Sequence, residues 1–343
     1  MKKLLNTLYV LSEDAYLSLD GETVKVELDE GVKKNVPLHT LEAIVCFSYK
    51  GASPALMGKC AKTGISLSFF SPRGQYLTSI NYLENGNVLL RREQFRMADR
   101  EDDSLMVAKA FLAGKLYNSK YVLLRSTRDH PMQVNVHTIK SAVNRITIYM
   151  EDLKHVENEE QLRGIEGNSA AEYFGVFDEL ILQNKDDFFF SSRNRRPPLD
   201  NVNALLSLAY TVLANECSAA LLSVGLDPYV GFLHSDRPGR KSLALDLMEE
   251  LRAPFADRFV LTLINNRIIS KKDFKKEESG AVFLKAESRK VFFTEWQNRK
   301  KEMIVHPFLE EKMNWGLVPY VQALLLSRFI RGDVDAYPPF FWK

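Results

Sequence analysis

The chain is short of the residues and runs that announce many functions. It has only three cysteines in 343 residues, Cys46, Cys60 and Cys217, far apart and never in a C-x-x-C pair. That spacing excludes a disulfide framework and a zinc knuckle, and it reads as small buried thiols in a reducing cytosol. No phosphate-binding G-x-x-x-x-G-K-[ST] loop and no G-x-S-x-G elbow occurs, so nucleotide hydrolysis and serine-type acyl transfer have no support. Charge of one sign is also missing: 46 Lys and Arg face 44 Asp and Glu, a net +2, so total charge announces no nucleic-acid partner. Uninterrupted apolar runs are absent as well. The longest, 204–226, is broken by Ser207, Thr211, Asn215, Glu216, Ser218 and Ser223, the pattern of a buried helix and not of a lipid-facing span. The basic, apolar first residues are interrupted by Asn6 and run straight into strand alternation, so they read as mature structure and not as a leader. Repeats and low-complexity segments are lacking too.

What is present is core-forming material, 45% hydrophobic with 11% aromatic residues, enough for two domains. LLNTLYVL, AYLSLDG, TVKVELD and AIVCFS are short runs rich in β-branched and aromatic residues, and Asp20-Gly21 offers a hairpin turn. SPALMGKCAKTGISLSFFSPRGQYLTSI predicts one short helix, an apolar strand, a Pro72-Arg73-Gly74 turn and another strand. From NVLLRREQFRMADRED onward helical period takes over. The expected fold is α+β: a small β-rich N-terminal domain over 1–98, then a larger all-α domain over 99–343.

Chemistry-bearing residues converge between Gly231 and Arg252, GFLHSDRPGRKSLALDLMEELR. His234 follows an apolar run, Pro238-Gly239 turns the chain, and Leu243, Leu247, Met248 and Leu251 recur at helical spacing with Ser242 as the expected cap. Asp246 lies three residues before Glu249 and four before Glu250, which places the carboxylates on one helical face. They read either as a solvated acidic stripe balanced by Arg252 or, with the imidazole, as hard ligands for Mn²⁺ or Mg²⁺. Glu166 in LRGIEGNSAAEYF stands between Gly164 and Gly167, at the expected start of a helix. It is either a third ligand approached closely through the glycines or an N-terminal acid favoured by the helix dipole.

Basic residues gather in places. Arg237, Arg240 and Lys241 either hold phosphates at the mouth of that site or simply solvate a turn. Arg193, Arg195 and Arg196 follow Phe188, Phe189 and Phe190 in QNKDDFFFSSRNRRPPLD, where interleaved rings and bases suit single-stranded nucleic acid or anchor a long loop. Residues 267–301 hold eleven Lys or Arg against five acids, an electrostatic strip suited to a polyanion. Arg92 and Arg96 share a helical face, for phosphates or for pairing with nearby acids. The remaining histidines, His39, His130, His137, His155 and His306, have no acidic partner at ligand spacing and read as packing residues.

GIEGNSAAEYF, NVNALLSLAYTVLANECSAAL and the 231–252 phrase resemble the CRISPR-associated spacer-acquisition integrase family, the first-numbered Cas endonuclease, most closely its type I-C branch, over nearly the whole chain. The resemblance implies metal ligands at Glu166, His234 and Glu249, with Asp246 in support; Glu249 stands where the family pattern has Asp. It implies a DNA endonuclease and strand transferase using Mn²⁺ or Mg²⁺, inserting short DNA fragments by attack of a 3′-hydroxyl on a phosphodiester. It also implies a cytoplasmic homodimer formed through the N-terminal domain. The implied partners are double-stranded DNA with 3′ ends, the CRISPR repeat, and the small second-numbered Cas protein, with no membrane involved. The competing readings are a metal-dependent nuclease of branched DNA in repair and a non-catalytic nucleic-acid-binding module. The C-terminal GDVDAYPPFFWK, with four aromatics around two prolines, is expected either to close its own core or to dock on that small partner.

Overall fold

The computed structural model describes residues 5–343 except 32, 73, 81–86 and 196. By internal contacts the chain divides into two units.

The first unit comprises residues 1–87, 285–303 and 314–317. Strand β1 (Asn6–Val10) pairs in parallel with β5 (Leu41–Cys46), and β5 in parallel with β6 (Ser66–Phe70). The antiparallel edge strand β7 (Tyr76–Ile80) completes the order β1-β5-β6-β7. Parallel neighbours require a crossover, and α1 (Pro54–Thr63) supplies it between β5 and β6. Ser53 accepts from Leu56 N at its start, Pro54 opens it, and Gly64 at φ +75° ends it. A second, antiparallel sheet orders β2 (Tyr16–Asp20), β3 (Thr23–Glu27) and β4 (Lys33–Pro37), with Asp20 opposite Thr23 across the expected turn. β4 was not expected: KKNVP has one β-branched residue and a proline, composition tolerated at a sheet edge. Leu17, Val24, Ile44, Leu56, Cys60 and Leu67 form the core between the layers. Helix α9 (Ala286–Lys301) belongs to this unit, with Phe293 stacked on Tyr9 at 4.3 Å and Lys300 on Glu42 at 2.8 Å.

The second unit, 88–284, 304–313 and 318–343, is mostly helical. It holds α2 (Val88–Asp99), α3 (Glu101–Asp129), α4 (Val136–Asp152), α5 (Glu159–Gly175), α6 (Asn201–Val224), α7 (Ser242–Leu251), α8 (Arg258–Asn265) and α10 (Val318–Ile330). Two expectations are corrected here. The division falls at 87/88 and not 98/99, because α2 packs with α3 and α10 while residues 285–303 return to the β-rich unit. Nor is the helical unit purely α: β8 (Phe274–Lys276) and β9 (Val282–Leu284) form an antiparallel pair. Helix α6 is long and apolar enough by composition to cross a membrane, yet it packs against α7 and α10 and buries Leu205, Leu206, Ala209, Leu213 and Leu221. At about 1.5–3 kcal/mol per large aliphatic side chain, this face accounts for its apolar character without lipid.

Between α7 and α8 the chain does not break. Residues Arg252–Asp257 form a π-helical turn containing Pro254, which has no N–H to donate. The wider turn carries Arg252 and Asp257 into the interior behind the site described next.

Candidate active site

Three helices and one loop bring the site together. Lys115 comes from α3, Glu166 from α5, Asp246 and Glu249 from α7, and His234 from the loop before α7. Helix α5 starts seven residues before Glu166, capped by Asn158, whose side chain accepts from Gln161 N at 3.0 Å. Glu166 is therefore mid-helix and not at a helix start. A Cβ at Gly164 or Gly167 would meet nothing, so neither glycine is required there by a close approach.

Asp246 is fully buried and organises the loop. Its Oδ2 accepts from Phe232 N at 2.7 Å and Leu233 N at 3.1 Å; its Oδ1 accepts from His234 N at 2.9 Å and lies 2.6 Å from His234 Nδ1. A carboxylate facing Nδ1 keeps the ring proton there and leaves Nε2 with a free lone pair. Gly231 is required by close approach: a Cβ there would lie 2.7 Å from Ser242 Cβ and 2.9 Å from Asp246 Oδ2. Ser242 does not cap α7 as expected. It is the first helical residue, and its hydroxyl donates to Ser235 O at 3.1 Å, pinning the loop to the helix.

Glu249 is also buried, which removes the solvated-stripe reading. Its Oε1 accepts from Arg252 Nη1 at 2.6 Å; its Oε2 is 3.1 Å from Lys115 Nζ, which also donates to Glu166 Oε1 at 2.7 Å. The Lys115–Glu249 contact is an ion pair without hydrogen-bond geometry, so Oε2 is buried with no directed donor. Burial pushes the Glu249 carboxyl up, but chiefly the Arg252 guanidinium and the Lys115 ammonium outweigh it and hold the group at about 2. Arg252 is itself braced, its guanidinium 4.4 Å from the Tyr210 ring centre. The Tyr210 and Tyr173 hydroxyls both donate to Asp257, the latter at 2.9 Å, and burial raises the Asp257 carboxyl to about 6.

Glu250 points away from this group. Its Oε2 accepts from Gln322 Nε2 at 2.8 Å and Phe340 N at 3.1 Å. Asn118 on α3 donates to Glu250 O and Phe340 O and accepts from Trp342 N at 2.8 Å. Tyr337, Phe340 and Trp342 are buried and Phe341 packs on Tyr117, so the tail closes its own core and is not a free docking segment.

A buried Asp thus locks an imidazole, and two carboxylates from different helices meet on one ammonium. The sequence profile of the family described as CRISPR associated protein Cas1 matches residues 8–298. The chain belongs to the Cas1 family. It is 47% identical over 343 residues to the CRISPR-associated endonuclease Cas1 1 of Chlorobaculum tepidum, covering 100% of both chains. Among solved structures it is similar to a casposase bound to integration product, with TM-score 0.85 and 24% identity over 98% of this chain and 93% of that one. It is also similar to a chain of a Cas6-RT-Cas1–Cas2 complex, with TM-score 0.80 and 22% identity over 100% of this chain and 36% of that one. At such identities these two likenesses speak for the Cas1 fold.

Around the site of this Cas1 chain, the expected basic residues separate. Arg193 is internal: Nη1 donates to Asn203 Oδ1 at 2.7 Å, Nη2 to Ser207 Oγ at 3.1 Å, and the guanidinium lies 5.3 Å from the Tyr210 ring centre. It fastens the loop, so its assignment as a nucleic-acid contact is corrected. Arg195 is exposed, and Arg196 lies outside the described residues. Arg240 is depressed first by burial, then by the like charges of Arg237, Arg195 and Arg163, which places these four guanidiniums in one positive field near Asp246. Lys241 precedes α7 on the same loop. Arg163 went unnoticed in the sequence, although it lies one helical turn before Glu166; it bonds Ser235 beside His234. Lys115 was missed as well. A lone lysine in the apolar AFLAGKLY run was its only signal.

The other basic runs do not form one surface. Residues 267–284 and 285–301 belong to different units, and Arg289 and Lys300 are buried, so the expected strip is not a single exposed surface. Arg96 and Arg100 pair with Glu93, and Phe188 and Phe190 are core anchors while Phe189 is half exposed. His306 is buried on Gln322, the packing role expected of it.

Among the described residues, no three His, Cys, Asp or Glu side chains stand together as a ready metal-binding group. The chemistry of the set nevertheless fits a hard divalent cation. Two carboxylates already share one cation, the Lys115 ammonium, and Glu249 Oε2 is buried without a directed donor. The His234 ring, its Nδ1 fixed by Asp246, has a nitrogen to give.

Proposed function

We infer that this Cas1 chain is a divalent-metal-dependent DNA endonuclease and integrase of CRISPR adaptation, of the type I-C branch, with Glu166, His234 and Glu249 as its metal ligands. The observation that carries the reading is Asp246: one buried carboxylate holds the His234 backbone and Nδ1 and so leaves Nε2 as the nitrogen available to a ligand.

When bound, Mn²⁺ or Mg²⁺ supplies Lewis-acid polarisation of the scissile phosphate and stabilises charge on the leaving oxygen. The protein's own residues do the rest. Asp246 fixes the imidazole, Arg252 and the Tyr210–Asp257 network fix Glu249, and the rigid α3–α5–α7 frame sets the distances between them. Arg163, Arg195, Arg237, Arg240 and Lys241 hold phosphates of the incoming strand, by charge and without reading bases. A 3′-hydroxyl or water attacks in line, giving joining or nicking from one site.

The β-rich unit is proposed to mediate a homodimer. DNA with 3′ ends, the CRISPR repeat and a Cas2-type protein are the proposed partners, the last because the structural relative named above is a complex containing Cas2. The proposed setting is the cytoplasm. The test is purified protein with Mn²⁺, a labelled short duplex bearing 3′-hydroxyls, a labelled branched DNA and a supercoiled repeat-containing plasmid. Covalent joining supports the integrase, cleavage of branched DNA without joining supports a repair nuclease, and binding alone supports a non-catalytic module.

A further inference from the structure

We propose that Lys115 is a built-in counter-cation of the metal site: in the metal-free protein its ammonium bridges Glu166 and Glu249, and a divalent ion has to displace it in order to bind. The inference rests on the proposed ligand set and adds the residue that competes for it.

The argument is one of position and charge. Lys115 Nζ lies 2.7 Å from Glu166 Oε1 and 3.1 Å from Glu249 Oε2, between carboxylates from two different helices. The lysine side chain is 12% exposed and Glu249 2% exposed, so water does little to screen them. Without the ammonium, Arg252 would offset the charge of Glu249 alone and Glu166 would be left uncompensated beside it; Lys115 supplies the second positive charge and ties α3 to α5 and α7. A divalent ion ligated by the same oxygens cannot share the space with the ammonium. Entry of the ion therefore breaks both ion pairs and moves the Lys115 head out of the gap. Its exit lies past Glu166, whose side chain is 33% exposed. The lysine's flexible four-carbon stem makes the exchange feasible, where arginine's rigid fork would have locked it. The consequence is a threshold: metal affinity is weaker than the same donors would give without the lysine, and the empty site remains folded.

The test uses the full chain and reads metal binding directly. Mn²⁺ is titrated calorimetrically into the wild type, Lys115→Met, Lys115→Gln and Glu166→Gln, alongside melting curves without metal. Lys115→Met is expected to bind Mn²⁺ at least about tenfold more tightly than the wild type and to melt lower without metal. Lys115→Gln keeps a donor, guards against a folding defect, and should also bind more tightly. In the wild type, reductive methylation followed by mass spectrometry should label Lys115 faster when Mn²⁺ is present. Lys109, which donates to Val156 O at 2.8 Å on the same helix, is the internal control and should not change. Equal or weaker Mn²⁺ binding in both Lys115 variants, with labelling unaffected by Mn²⁺, overturns the inference. Wild type and Glu166→Gln binding alike, or not at all, overturns the ligand set itself and the inference with it.

Discussion

Asp246→Asn changes one atom, and its consequence can be worked from the contacts. The native carboxylate is fully buried and accepts four hydrogen bonds, two on each oxygen, from three successive backbone N–H groups and an imidazole. An asparagine retains one accepting oxygen. Placed to keep the Phe232 and Leu233 bonds, its NH₂ faces the His234 N–H and Nδ1. The ring can relieve its half by moving the proton to Nε2, but the backbone N–H remains without a partner, which costs about 1–3 kcal/mol, and the surviving bonds lose their charge assistance. Asp246→Ala removes both acceptor oxygens and with them all four bonds, and should cost about 3–5 kcal/mol. In Asp246→Asn the lone pair at Nε2 is lost with the tautomer, so Mn²⁺ affinity should fall even though the fold survives. Denaturant titration gives the global cost, and hydrogen exchange of the Phe232, Leu233 and His234 amides gives the local one. If both variants stay within about 0.5 kcal/mol of wild type, with these amides still protected, the claim that Asp246 organises the loop is refuted.

Other outcomes follow from the same geometry. Gly231→Ala should lower nuclease activity about a hundredfold while the far-UV spectrum is unchanged, because its Cβ would collide with Ser242 and Asp246 and shift His234; normal activity would refute this. Deleting residues 337–343 removes three buried aromatics, each worth about 3–5 kcal/mol, and strips Glu250, Gln322 and Asn118 of partners, so the helical unit should fail to melt cooperatively by calorimetry. The folded state holds a proton on Asp257 up to about pH 6 that the unfolded chain loses near its ordinary value of 3.8. Stability should therefore fall by on the order of 3 kcal/mol as pH rises through that window, and Asp257→Asn should flatten the profile in denaturant titrations across pH 4–7. Arg195→Ala and Arg237→Ala should each reduce the salt slope of DNA binding by about one, whereas Arg193→Ala should lower the melting temperature.

The fold was readable where one period dominated. The strand runs of the β-rich unit and the helix from Pro54 lie where alternation or helical spacing placed them, and helices do take over from Val88, although α5 starts seven residues before the expected point. β4 escaped because an edge strand does not need an apolar face, and residues 285–303 fell within the expected helical domain because period says nothing about which core a segment joins. At the site, spacing put Asp246 and Glu249 on one helix and the loop histidine before it, but it could not show that Glu250 turns towards the tail. Nor could it separate exposed guanidiniums from Arg193, whose role depends on Asn203 and Ser207 across the fold. Lys115 was illegible for a related reason: its partners lie 51 and 134 residues away, and a lone lysine in an apolar run looks like a snorkelling side chain until those partners are in place.

The most direct test of the central claim is the joining assay with purified Glu166→Gln, His234→Ala and Glu249→Gln proteins and their double mutants, each checked for intact folding and DNA binding. One site acting as a unit predicts that every single substitution abolishes Mn²⁺-dependent nicking and joining while DNA affinity is retained, and that the double mutants are hardly worse than the singles. A His234→Ala protein that still nicks and joins at near-normal rates in Mn²⁺ would contradict it.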